Sequence, residues 1–293
     1  MSTHGSGEPG FRLLLIPCVV VGVACGDEGG TSGVGRCEPG DPDVPLASSA
    51  PVQGSISIQD RAFFVNREGQ TAREIQTSLS GGFERIVETS TPANTARRGT
   101  NCLVTNSRRL PGEVQLLDGG TVVVDTALGS ENIEGDESNV YRSTIGGEWR
   151  MSGIDAVRVS GGGPSTDFPA FDMSVPAVQS LSVTAPRTDG TAVLPTSDLE
   201  FRWPAGDGDL VLVEIVPDPP PTSGGKVQCF FVDSGCGVVP ASATTDLRSN
   251  NVELFRVIVA RIRGDRSELD EGTTMDVDLR SEVRFEMSPG GER

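Results

Sequence analysis

Apolar and polar residues alternate in short runs along most of the chain, and glycine pairs and triplets interrupt them. From about residue 51, Gly54–Ile58, Ala62–Asn66, Glu113–Leu117, Thr121–Asp125 and Ala156–Ser160 each read as a strand. Turns are expected at Gly81-Gly82, Asp118-Gly119-Gly120, Gly146-Gly147 and Gly161-Gly162-Gly163. Leu116 to Val123, centred on the second of these, has the clearest hairpin pattern. Arg73 to Val87 fits a short helix or an irregular strand, and no long segment repeats apolar residues at helical spacing. Pro169, Pro176 and Pro186 then punctuate a change from one strand set to another. Beyond them come Leu181–Thr184, Leu199–Trp203, Leu210–Val216, Val227–Val232, Gly237–Val239, Val252–Arg261 and Thr274–Glu286, enough strands for one sandwich. Within the sixth run, Val257, Val259 and Arg261 lie opposite Arg256, Ile258 and Ala260, and one face is expected to be half buried. The pattern predicts an all-β protein with two β-sandwich-like domains, 51–178 and 179–293.

The first thirty residues follow a different rule. A polar segment ending at Arg12 precedes the apolar run Leu13–Ala24, and Cys25 opens a Gly- and Asp-rich stretch. A twelve-residue helix rises about 18 Å, short of the ~30 Å hydrocarbon core. The run therefore predicts a secretory signal over 1–24 and not a membrane span. Gly22-Val23-Ala24-Cys25 resembles the lipobox of bacterial lipoproteins; the last three residues fit, and Gly22 stands where that family prefers Leu. The resemblance implies cleavage after Ala24, diacylglyceryl transfer to the Cys25 sulfur and often acylation of the new amino group, for instance with palmitate. It also implies a lipid bilayer as partner and a location in the bacterial cell envelope, at the outer membrane. An ordinary signal peptide with an incidental cysteine is the alternative, and would release the product. Residues 25–50 are rich in Gly, Ser, Pro and Asp and read as a flexible tether.

Charge and cysteine content narrow the picture. The formal net charge is −17, and loss of 1–24 leaves it unchanged because Glu8 and Arg12 cancel. Such a field repels phosphate backbones, so nucleic acid is not an expected partner. Of six cysteines, Cys18 leaves with the signal and Cys25 takes the lipid. Cys37, Cys102, Cys229 and Cys236 remain, and four cysteines allow three pairings. Cys37–Cys102 and Cys229–Cys236 are expected, because each pair then lies within one predicted domain. An even remainder suits an oxidising compartment. Zinc is the rival use, but the mature chain would have neither a histidine nor a Cys-x-x-Cys spacing.

Leu199-Glu200-Phe201-Arg202-Trp203-Pro204 and Leu254 to Ala260 resemble the early and late strands of fibronectin type III and immunoglobulin-like modules. In these the tryptophan is buried in the core. The usual core tyrosine is missing, and Phe255 stands as its substitute. With Phe168-Pro169-Ala170-Phe171 ending the first β-domain, the whole resembles uncharacterised lipoproteins of high-GC Gram-negative bacteria. That resemblance implies an architecture and an envelope location, with no established chemistry.

The only histidine is His4, ahead of the predicted cleavage, which excludes Ser-His-Asp, Cys-His and His-ligated metal chemistry from the mature chain. Lys226, the single lysine, follows Gly224-Gly225 and is expected to be exposed. Carboxylates are the remaining route. Val123-Val124-Asp125-Thr126-Ala127 and Phe231-Val232-Asp233-Ser234-Gly235 resemble the paired signatures of aspartic proteases, in which two aspartates share a proton. Strand-to-turn sequences read the same way. Calcium could use Glu131, Glu134, Asp136 and Glu137, or Asp207 and Asp209, or Asp276 and Asp278, but none has a dedicated ligand spacing. Trp203 is expected in the core, and Trp149 is a poor stacking platform by itself. The expected function is therefore a non-enzymatic binding or structural lipoprotein with a protein partner in the envelope, needing no metal and no cofactor. A hydrolase using Asp125 and Asp233 is the alternative.

Overall fold

The computed structural model describes Cys37 to Pro289, apart from 38–41, 43–49, 68–69, 88–94, 99–100, 106–112, 146–150, 190–191, 219–224, 246, 248–251 and 271. The signal and acylation residues 1–25, the Gly146-Gly147 turn and Trp149 therefore lie outside the described residues. Cys37–Arg293 forms one compact unit.

The strands run β1 (Val52–Arg67), β2 (Gln70–Ile86), β3 (Thr95–Arg98), β4 (Cys102–Thr105), β5 (Val114–Leu116), β6 (Val122–Thr126), β7 (Gly129–Ile133), β8 (Val140–Ile145), β9 (Ala156–Gly161) and β10 (Phe171–Pro176). They continue with β11 (Val193–Leu194), β12 (Leu199–Arg202), β13 (Leu210–Asp218), β14 (Lys226–Phe231), β15 (Cys236–Val239), β16 (Leu254–Asp270) and β17 (Thr273–Pro289). A single-turn helix, α1 (Ala241–Thr244), precedes β16. The protein is all-β, as the alternation predicts.

The largest sheet has the order β3-β4-β14-β13-β16-β17-β1-β2-β5, with β8 also on β2 and β11 on β17. A second sheet is ordered β10-β9-β6-β7, and β12 and β15 form a separate ribbon. The stretches 51–178 and 179–293 share the large sheet. β1 pairs in parallel with β17, and β4 extends the edge of β14.

Two apolar cores lie on the inner face of that sheet. One gathers Ile56, Ile58, Leu79, Phe83, Val122, Val159, Met275, Val277 and Leu279, among others. The other gathers Val104, Leu181, Phe201, Trp203, Val211, Phe231, Val259, Val283 and Phe285, among others. Neither core is confined to one stretch of sequence, since Ala62, Cys102 and Val104 belong to the second and Met275, Val277 and Leu279 to the first. β17 spans both, because Met275, Val277, Leu279, Val283, Phe285 and Met287 share one phase of its pleat while charged residues fill much of the other. Each such side chain contributes about 1.5–3 kcal/mol by leaving water.

Three local expectations are corrected. Arg73–Val87 is neither helix nor irregular, for β2 runs through it in unbroken register with β1. Gly81-Gly82 is mid-strand and not a turn: a Cβ on Gly81 would lie 2.4 Å from both Ile56 Cδ1 and Ser55 O. The glycine lets β1 and β2 pack closely. The Leu116–Val123 hairpin also fails, since β5 pairs with β2 while β6 pairs with β7 and β9. Its Asp118–Gly120 turn carries the chain between sheets, and the Tyr141 hydroxyl holds it. Gly119 N–H donates to that oxygen (3.0 Å), and the hydroxyl donates to Gly120 O (2.8 Å).

Candidate functional site

Among the described residues, one buried row on the inner face of the large sheet breaks the apolar rule. Register aligns Arg261 on β16 with Ser281 on β17, Ser281 with Asp60 on β1, and Asp60 with Thr77 on β2. All four are buried, and the row falls between the two cores. Buried polar groups need partners, and here each finds one. The Asp60 carboxylate accepts from Thr77 Oγ1 (2.6 Å) and Met151 N (2.9 Å), and Ser281 Oγ accepts from Leu181 N (2.8 Å).

Arg261 is the centre of this seam. Its Nη1 donates to Gln179 O (3.3 Å) and Ser180 O (3.2 Å), and its Nη2 to Pro204 O (2.5 Å) and Asp233 Oδ1 (3.2 Å). Its Nε lies 2.7 Å from Asp233 Oδ2, an ion-pair contact whose N–H is not aligned for a hydrogen bond. The two side chains are only 2% and 3% exposed, so this pair is almost unscreened. Asp233 also accepts from Trp203 Nε1 (2.9 Å, on Oδ1) and Gly208 N (2.9 Å, on Oδ2). One guanidinium thus ties together the crossover at 179–180, the 204–208 loop and the turn after β14. The sequence holds a trace of it, since Arg261 shares its phase with Val257 and Val259 in a strand that otherwise buries that face.

This geometry decides where the aspartate candidates stand. Asp233 has both oxygens committed to a buried structural cluster. Asp125 lies on β6 in the second sheet, half-buried, in register with Ser130 and Arg158. No hydrogen bond or ion pair joins the two aspartates among the described residues. Trp203 is buried in the core, as expected.

The disulfide expectation is corrected. The bonds are Cys37–Cys236 and Cys102–Cys229, in place of Cys37–Cys102 and Cys229–Cys236. The reason is strand order. β4 adds to the edge of β14 with Cys102 and Cys229 as register partners, which brings those sulfurs together despite 127 residues of separation. Pairing by domain failed because β4, from the first stretch, belongs to the sheet and core of the second. Two disulfides mark an oxidising, non-cytoplasmic compartment.

The acidic groups resolve into local pairs. Asp207 Oδ1 accepts from Gln179 N (3.0 Å), and its Oδ2 lies 3.6 Å from Arg263 Nη1. Asp209 accepts from Gly264 N (2.9 Å), Asp276 pairs with Arg266, and Asp278 pairs with Arg280 and Ser57. Glu134 accepts from Thr121 (2.6 Å). Asp136 caps its own turn, and the N–H donors of Val140 and Ser138 hold its carboxyl below the ordinary value. Glu131 and Glu137 lie in or beside that loop. Among the described residues, no three Asp, Glu, Cys or His groups are placed to hold a metal. Lys226 begins β14 and pairs with Glu214 (3.1 Å). Burial pushes the Tyr141 phenol up, against the Gly119 N–H that favours its charged form.

No protein-family model matches this chain, and no curated protein matches it either. The described residues contain no helix long and apolar enough to cross a membrane.

Proposed function

We propose that the chain is a bacterial envelope lipoprotein, acylated at Cys25, whose cross-linked β body serves a binding or structural role without catalysis. One observation carries the reading. The four cysteines after Cys25 consume one another in two disulfides, so the body makes no demand on the Cys25 thiol at the end of the apolar run. One acyl chain binds a bilayer marginally, whereas two or three hold a protein stably. Such a body sits beside the outer membrane, on a tether from Cys25 to Cys37. Ig-like sandwiches present partner sites on loops and strand edges. The edge formed by β2 and β5 supports a protein partner, since Val87, Val114 and Leu116 are all exposed there.

The test is fractionation of cells expressing the wild-type chain or Cys25→Ser, with mass spectrometry of the N-terminal peptide. Wild-type protein should sediment with membranes and carry acyl mass on Cys25, and the variant should appear in the soluble fraction. Membrane retention of the variant, or an unmodified Cys25, would overturn the proposal.

A further inference from the structure

β5 lies at one edge of the large sheet and, among the described residues, pairs only with β2. Val87 N donates to Glu113 O (2.9 Å) and Leu117 N to Phe83 O (2.8 Å), so Glu113, Gln115 and Leu117 turn their backbone groups toward β2. Val114 and Leu116 turn theirs the other way, which leaves an N–H and a carbonyl from each on the free side. Their side chains share one face, at 43% and 39% exposure, beside Ile86 and Glu84 of β2. An open edge with two exposed apolar residues is a template for an added strand.

The ground around that edge is acidic. Glu84 stands opposite Leu116, and the chain leaving β5 enters Asp118. Asp167 Oδ2 accepts from Asp118 N (3.3 Å), and Glu134 accepts from Thr121 Oγ1 (2.6 Å). Asp118 and Glu134 both act on the Tyr141 phenol, which itself bonds the Asp118–Gly120 turn, so these carboxylates converge on one end of the strand. Asp118, Glu134 and Asp167 are exposed, and among the described residues none of the four carboxylates has an ion pair. Of the nearby arginines, Arg85 stands opposite Gln115 in the other phase, and Arg142 on β8 acts on Asp136. The edge therefore favours a cationic occupant over a second copy of this chain, whose own formal charge is −17.

We propose that β5 receives an extended segment of a partner protein with the pattern cation, any residue, apolar, any residue, apolar. This rests on the binding role proposed above and names the chemistry of its partner. Running antiparallel to β5, such a segment sets its first apolar residue beside Leu116 and its second beside Val114. It exchanges backbone hydrogen bonds with both and brings its Lys or Arg to Asp118 and the neighbouring carboxylates. The backbone bonds supply attachment, and the side chains supply choice.

The experiment uses the full-length protein and two end-blocked, dye-labelled peptides, Lys-Thr-Val-Thr-Val-Thr and Glu-Thr-Val-Thr-Val-Thr, read by fluorescence anisotropy at low salt. The Lys peptide should bind roughly tenfold or more tighter than the Glu peptide, and the gap should close in about 1 M salt. Asp118→Asn/Asp167→Asn, which keeps the acceptors for Gly120 N and Asp118 N, should narrow the gap as well. Leu116→Pro removes an outward N–H at a position that makes no bond to β2, and should weaken the Lys peptide roughly tenfold with near-ultraviolet circular dichroism unchanged. Leu116→Ser, which keeps the backbone, should weaken it several-fold. Equal binding of the two peptides, no binding of the Lys peptide, or binding that neither Leu116 variant weakens would overturn the proposal. So would a wild-type dimer that Leu116→Ser dissociates in sedimentation, since the edge would then belong to a second copy. The assay needs no membrane, so its failure leaves acylation at Cys25 standing, and failure of the fractionation test leaves the edge standing.

Discussion

Replacing Asp233 with Ala should destabilise the protein far more than replacing Asp125 with Ala. The first change leaves the Arg261 guanidinium, 2% exposed, without its counter-ion, and strips the acceptor from Trp203 Nε1 and Gly208 N. Removing one partner of a buried ion pair costs about 3–5 kcal/mol. Part of that cost is moderated, because Gln179, Ser180 and Pro204 still offer carbonyls to the guanidinium. The half-buried Asp125 side chain holds no such cluster, so its loss should cost no more than about 1 kcal/mol. For a body of this size, each kcal/mol lowers Tm by roughly 2–4 °C, so Asp233→Ala should melt about 6–20 °C lower. Urea unfolding followed by tryptophan fluorescence measures the difference, with Trp203 reporting from beside the lesion. The double variant Asp233→Leu/Arg261→Met should recover much of the loss, since an apolar pair can replace a buried ion pair at little cost. An Asp233→Ala midpoint within about 1 kcal/mol of wild type would refute the view that this cluster is structural, and would reopen Asp233 as a functional carboxylate.

Three further outcomes are expected. Cys102→Ser/Cys229→Ser should lose about 2–5 kcal/mol, and non-reducing peptide mapping of the wild-type protein should find Cys37 with Cys236 and Cys102 with Cys229; a Cys229–Cys236 peptide would contradict the strand order. Gly206→Ala and Gly208→Ala should each cost about 1–3 kcal/mol, because the new Cβ would meet Arg261 Cζ at 2.3 Å or Cγ at 2.6 Å; a neutral effect at both would mean that the loop does not pack on the guanidinium as described. The Tyr141 phenol, the only one in the chain, should titrate above its ordinary value of 10.0 in folded protein because it is buried. A raised folded value adds stability that is complete below the unfolded value and is lost as pH rises through the folded one, so stability should decline above about pH 10 and Tyr141→Phe should flatten that decline. Phenolate absorbance at or below the ordinary value would contradict it.

Alternation made the last strand legible, because a residue period of two is written directly into Met275–Met287, whereas Val122-Val123-Val124 was legible only as a short apolar run between turn residues. It also made Trp203 legible as core. Strand partners were not, since pairing depends on contacts far apart in sequence. Nothing local in Cys102-Leu103-Val104-Thr105 says that it joins β14, and that one pairing decides both disulfides. Gly81-Gly82 and Asp118-Gly119-Gly120 show the same limit. A glycine pair marks a turn or a close approach equally well, and only the neighbour, Ile56 in one case and Phe83 in the other, distinguishes them. Arg261 was legible as an oddity of phase but not as a buried ion pair, because its partner Asp233 sits 28 residues away in a segment that also reads as a protease signature.

The most direct measurement is intact-mass and peptide mass spectrometry, without reduction, of the protein taken from the membranes of its native host. A chain that begins at Cys25, carries acyl groups there and keeps its four remaining cysteines in the two bonds described is the expected result. A chain that retains Leu13–Ala24, or has a free thiol at Cys25, would contradict the anchored, exported body at the centre of this reading.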